Sequence, residues 1–132
     1  IKPALSQGRI VVCDRYVDST YAYQGYGRGL DLDTLISINE VATEGTMPDF
    51  TFFFDIDPEI ALSRRVASGI PDRIEIEKAD FHKRVCEGYR QLSELYSQRI
   101  IKIDANRTVE QVWNDVKQEL VKRIAPLRGV QI

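Results

Sequence analysis

The sequence predicts an α/β fold built on a mostly parallel sheet. Strand-like and helix-like patterns alternate along the chain, which is the order of βα units. The strand-like runs are apolar on both faces, as strands buried in a parallel sheet are. All three runs end in an aspartate, at Asp14, Asp55 and Asp104. With 132 residues the chain is long enough for one domain with a core.

The expected strands are Arg9 to Cys13, Asp49 to Asp55 and Arg99 to Asp104. Between the first two, Leu32, Leu35, Ile36, Ile38, Val41 and Ala42 fit one broad helical face. Gly45 is a suitable stop, and Pro48 follows. Asp57-Pro58-Glu59 combines an N-cap, a first-turn proline and a first-turn acid. Phe81, Val85, Tyr89, Leu92 and Leu95 form a stripe at steps of three and four. Thr108 to Gln111 reads as a capping box, followed by Val109, Val112, Trp113, Val116 and Leu120 as a core-facing stripe. The segment from Ala125 to Ile132, with Pro126 and Gly129, is expected to fray. Three strands leave open sheet edges, so we expect the sheet to be incomplete on its N-terminal side. The chain opens Ile1-Lys2-Pro3 without a methionine, read as a processing, cloning or ordering boundary.

Composition narrows the function classes. Hydrophobic residues at 43% and charged residues at 29% exclude a disordered chain or a disulfide scaffold. The longest uncharged apolar run, Phe50 to Phe54, is far too short for a membrane span. The 18 basic and 20 acidic residues leave a net charge of −2, so nothing drives the whole molecule toward nucleic acid or an anionic membrane. Two distant cysteines, Cys13 and Cys86, read as reduced thiols of a cytoplasmic protein. A single histidine, His82, argues against a histidine zinc site or a Ser/His/Asp triad and is read as structural.

In open parallel sheets the ligand sits beyond the carboxyl ends of the strands. The richest loop there is Asp14-Arg15-Tyr16-Val17-Asp18-Ser19-Thr20-Tyr21-Ala22-Tyr23-Gln24-Gly25. An apolar strand ending in Asp resembles a Walker-B strand, whose Asp serves a magnesium shell. Arg15 can fork onto a phosphate. Tyr23 and Gln24 offer a ring and an amide suited to a nucleobase. The same residues also suit an Asp that caps a helix and an Arg paired with an acid. Gly25-Tyr26-Gly27-Arg28-Gly29 lacks the setting of a phosphate fingerprint and reads as a flexible loop. Arg64, Arg65 and Asp72-Arg73-Ile74-Glu75 could form a cationic lid or a solvated helix end. Glu75, Glu77 and Asp80 read as N-terminal capping acids. No Gly-Lys dipeptide occurs, so the sequence contains no Gly-x-x-x-x-Gly-Lys-Ser/Thr cradle.

Several segments resemble bacterial thymidylate kinases. They are Ile10 to Thr20, Ala22 to Gly25, Gly27-Arg28-Gly29, Pro48 to Pro58, Arg64 with Asp72 to Glu75, Phe81 to Val85 with Gly88-Tyr89, and Ile103-Asp104-Ala105. The resemblance covers residues 1–124 as the C-terminal portion of one kinase domain, with a lid near 64–76. It implies a three-layer P-loop kinase-like fold and transfer of the γ-phosphoryl group of ATP to dTMP with Mg2+, in a cytoplasmic homodimer. The family's first strand, P-loop and thymine-stacking helices are expected to lie outside the chain.

By the same resemblance Arg15 grips the dTMP phosphate, and Asp14 acts near magnesium, through water, and near the transferring phosphoryl. Ser19, Thr20 and Gln24 contact the thymine and neighbouring groups, and Tyr23 packs on the deoxyribose. Arg64 lies over the adenine beside Asp104 and Ala105, and Arg65 and Arg73 belong to the lid. Some relatives carry further lid arginines where this chain has Val66, Ala67 and Ser68, so the sequence does not assign the arginine that reaches the transferring phosphoryl. Two other readings remain: another nucleoside monophosphate or deoxynucleoside kinase, or a non-catalytic kinase-like module acting in dimerisation.

Overall fold

A computed structural model describes the backbone of residues 1–67 and 76–128. Its order is α1 (Lys2–Ser6), α2 (Val17–Thr20), a π-helix (Tyr21–Gly27), α3 (Leu32–Thr43), β1 (Thr51–Asp55), α4 (Pro58–Ala67), α5 (Ile76–Leu95), β2 (Ile100–Asp104) and α6 (Val109–Arg128).

β1 and β2 pair in parallel, with Thr51 opposite Ile100 and Asp55 opposite Asp104. Both expected strand-end aspartates therefore emerge at the same end of the sheet. The third expected strand does not form: Arg9 to Cys13 carries no strand, and the sheet of the described residues has two strands. A strand is stabilised by a ladder, and among the described residues no strand lies beside this segment; Val12 is 92% exposed.

The local signals for the helices hold. The Asp57 carboxylate accepts from the Glu59 N–H at 2.8 Å and starts α4. Thr108 and Gln111 close the capping box reciprocally: Gln111 N–H donates to the Thr108 hydroxyl, and Thr108 N–H to the Gln111 amide oxygen. α3 starts on Asp31, which accepts from the Thr34 N–H. It ends on Glu44 and Gly45, both at positive φ, with the Gly45 N–H donating back to the Glu40 carbonyl. α6 runs through Pro126 to Arg128, and residues 129–132 of the expected tail lie outside the described residues.

The core joins Val17, Tyr21, Ala22, Leu35, Val85, Leu92 and Ile100. It is formed where α2 and the π-helix meet α5 and the sheet. Two apolar stripes are only partly covered. On α3, Leu35 is buried while Ile38 and Val41 are exposed. On α6, Val116 is buried, but Trp113 is 51% and Val109 80% exposed, so Trp113 is not a core residue here. A period of 3.6 says that a helix has an apolar face, and only a neighbouring element can cover it.

The glycine run is not a flexible loop. Tyr21 to Gly27 winds as a π-helix continuous with α2, and Gly25 and Gly27 are buried. A Cβ on Gly27 would stand 2.6 Å from a Phe81 ring carbon and 2.8 Å from a Val85 methyl. A Cβ on Gly88 of α5 would stand 2.5 Å from the Tyr26 Cβ. These glycines let the two helices approach to a distance no side chain permits. Among the described residues, no helix is long and apolar enough to cross a membrane.

Candidate functional site

The segment after Cys13 turns sharply into α2. Arg15 makes that turn at φ +67°, a conformation that strains a residue with a Cβ. Its carbonyl accepts from the Cys13 thiol at 3.4 Å. The turn throws the Arg15 side chain over the π-helix, where its guanidinium carbon lies 5.1 Å from the centre of the Tyr23 ring. One Nη donates to the Tyr23 hydroxyl at 3.3 Å. Arg15 is exposed and has no carboxylate partner among the described residues. Asp14 is likewise exposed, with neither a hydrogen bond nor an ion pair among them. The pairing of Arg15 with an acid, one of the readings open from sequence, is therefore not made.

Around this arginine the structure gathers the other expected residues of the loop. Tyr23 lies edge-on to Phe81 and to Tyr89, with ring centres 5.9 and 6.4 Å apart. The Ser19 hydroxyl is bonded to the Tyr89 hydroxyl at 2.7 Å. Tyr89 in turn stacks on Phe53 of β1 at 5.3 Å. Burial pushes the Tyr89 phenol upward, against the opposing bond from Ser19. The side chains of Thr20 and Gln24 are half-buried and hold no hydrogen bond among the described residues. The result is an aromatic wall carrying free polar groups and one unpaired guanidinium, a surface suited to a ring with an attached anion.

Underneath, α2 is fixed to the sheet. Asp18 is 4% exposed. Arg99 embraces it with both Nη atoms, at 2.6 and 2.8 Å. The Thr51 hydroxyl bridges the pair, donating to Asp18 at 2.9 Å and accepting from Arg99 at 3.0 Å. The sequence reading singled out neither Asp18 nor Arg99 as a pair. They lie 81 residues apart, and no local pattern joins them.

The other strand ends differ from Asp14. Asp55 is held by Arg90 at 3.0 Å and by Lys102 at 2.9 Å. Burial pushes its carboxyl upward, but the bonds from these two cations outweigh burial and hold it below the usual aspartate range. Asp104 accepts from the backbone and side chain of Asn106, shaping the loop after β2. Arg64 reaches this loop, with one Nη donating to the Ala105 carbonyl at 3.0 Å and the other to the Arg107 carbonyl at 3.1 Å. Arg64 is thus brought to the loop that carries Asp104 and Ala105. The Arg65 side chain, Arg73 and the acids Glu75 and Glu77 lie outside the described residues. His82 is exposed, with its ring 5.6 Å from that of Phe81.

Comparison with known proteins gives this geometry its setting. The family model described as thymidylate kinase matches residues 1–116. Thymidylate kinase of Clostridium novyi is 47% identical over 117 residues, which are 87% of this chain and 57% of the relative. That of Exiguobacterium sp. is 45% identical over 94% of this chain and 58% of its own length. That of Lactobacillus helveticus is 48% identical over 94% and 59% respectively. The chain therefore spans rather more than half the length of these relatives. By sequence match, the chain belongs to the thymidylate kinase family.

Proposed function

We propose that these residues form the acceptor side of a kinase that moves the γ-phosphoryl group of ATP onto dTMP, giving dTDP and ADP. The observation that carries this reading is Arg15: strained, exposed, laid on Tyr23 and free of any carboxylate among the described residues. A guanidinium held in that way is available to grip the dTMP phosphate through two parallel hydrogen bonds. Tyr23 packs against the deoxyribose beside it, and Thr20 and Gln24 turn their unused polar groups to the thymine. Ser19, tied to Tyr89, acts on the same side.

The acceptor phosphate oxygen is already anionic, so the reaction needs positioning and charge neutralisation rather than a strong base. Magnesium in such reactions keeps several waters and takes one or two carboxylates plus nucleotide phosphates. The residues fit that mode. Among the described residues no cluster of three metal-ligating side chains exists, and Asp14 is an exposed, unpartnered carboxylate at the site. Asp14 would hold the ion through water, and the ion, when bound, would neutralise charge on the transferring phosphoryl. Arg65 and Arg73 of the lid would supply further positive charge. Arg64 already gives two nitrogens to the loop at Ala105 and Arg107, so its planar face is what remains to cover the adenine.

The reading includes a cytoplasmic homodimer. Two free cysteines support a reducing compartment, and Ile38 and Val41 give α3 an exposed apolar face. The test is turnover with dTMP, dUMP, dCMP and AMP, using a kinase of the relatives' full length that carries these residues. Preference for dTMP is expected, with dUMP following closely, since the thymine methyl is worth only about 0.8 kcal/mol in an apolar pocket. Preference for a base other than thymine would overturn the reading.

A further inference from the structure

We propose that Arg99 is a positioning residue for the phosphate-gripping arginine, acting through Asp18; the proposal rests on the dTMP reading above. Arg15 and Asp18 are three residues apart, on the turn into α2 and in its first turn. Arg15 sits at φ +67°, which the chain does not hold by local preference. Something must fix the segment after it. Asp18 is the buried charged group there, and three bonds hold it: one from each Nη of Arg99, in the turn before β2, and one from the Thr51 hydroxyl on β1, which also accepts from Arg99. Arg99 is itself held from the other side. Its guanidinium lies 5.4 Å from the Tyr96 ring centre, and its carbonyl accepts from the Thr51 N–H at 3.0 Å. Arg99, the residue before β2, thus anchors α2 to the start of the sheet through a bidentate bond whose planar geometry sets direction as well as distance. A lysine in the same place would supply the charge without the direction.

The experiment measures dTMP binding by calorimetry, together with KM values for dTMP and ATP, in a thymidylate kinase of full length carrying Arg99→Met, Arg99→Lys and Thr51→Val. Arg99→Met should weaken dTMP binding tenfold or more and leave the ATP KM within twofold of the parent. Arg99→Lys should recover the thermal stability better than it recovers dTMP affinity. Thr51→Val, which keeps both charges and loses the bridge, should weaken dTMP binding about threefold. It decides the matter if Arg99→Met fails to fold. Unchanged dTMP affinity in folded Arg99→Met, or in Thr51→Val where Arg99→Met does not fold, would overturn the proposal and leave Arg99 a stability residue only. A parent enzyme that does not bind dTMP at all would instead overturn the dTMP reading itself.

Discussion

Arg15, on the turn into the four-residue helix α2, and Arg99, bonded to Asp18 within it, are treated in opposite ways by the chain. Arg99 is buried among partners: two oxygens of Asp18, the Thr51 hydroxyl and the face of Tyr96. The bonds to Asp18 raise its already high pKa, and burial opposes them only in part. Arg15 is exposed and sits in a strained backbone conformation, and among the described residues its guanidinium is partnered by the Tyr23 ring and hydroxyl. Three donor hydrogens of Arg99 are engaged with Asp18 and Thr51, and a ligand would have to break those bonds to use them. Arg15, left without an acid among the described residues on a backbone that costs free energy to maintain, is the one the proposed function assigns to a ligand.

That contrast can be broken or sharpened experimentally. The largest effect should come from Arg99→Met. Removing one partner strands the buried Asp18 charge, and urea unfolding should show a loss of about 3–5 kcal/mol. A loss below about 1 kcal/mol would mean that the Arg99–Asp18 bond is dispensable. Next, Arg15→Ala should lower kcat/KM for dTMP by about 2–4 kcal/mol in activation free energy. Its unfolding free energy should stay within about 0.5 kcal/mol of the parent. A stability loss comparable to that of Arg99→Met would erase the distinction between the two arginines.

Asp55 lies between these extremes, since its carboxylate is buried but Arg90 and Lys102 are partly in water. Asp55→Asn should destabilise by about 1–2 kcal/mol at pH 7, discounted for that exposure. The folded pKa is lowered, so the contribution is complete above the unfolded value near 3.9 and disappears as pH falls through the folded one. The gap in Tm between Asp55→Asn and the parent should therefore be constant from pH 7 to about pH 5 and close progressively below about pH 4. A gap that persisted unchanged at pH 2 would show that the ion pairs are not its source. The smallest effect should be Arg15→Gly. Releasing the positive-φ strain, offset by the entropy that glycine loses on folding, leaves a gain of about 0.5 kcal/mol. A net loss would mean that the Arg15–Tyr23 contact stabilises the fold after all.

Much of the fold was legible because the signals are local. Asp57-Pro58-Glu59 and Thr108 to Gln111 carry their caps within three residues, and those caps form. The stripe from Phe81 to Leu95 places α5, and the apolar runs ending at Asp55 and Asp104 become its two parallel strands. The candidate site was legible as a list: Asp14, Arg15, Ser19, Thr20, Tyr23 and Gln24 are close in sequence and fall on one turn and one helical segment. What escaped was everything settled by a distant partner. Arg9 to Cys13 has a strand's composition and no ladder. Gly25 to Gly27 has a loop's composition, yet is helical because α5 presses against it at Phe81 and Val85. Trp113 has a core residue's chemistry on a helix face that nothing among the described residues covers.

By itself, then, the sequence determined the starts of α4 and α6, the two strands that pair and a list of candidate residues to test against a nucleotide. These depend on contacts within a turn or on the alternation of apolar side chains. The tertiary structure alone decided which charges are used up. Asp18 finds Arg99 across 81 residues, Ser19 finds Tyr89 across 70, and Asp55 finds Arg90 across 35. Asp14 and Arg15 find no acid or base among the described residues. An aspartate or arginine looks the same in a sequence whether it is paired or free. Its electrostatic fate is fixed only when folding brings the opposite charge near and takes the water away.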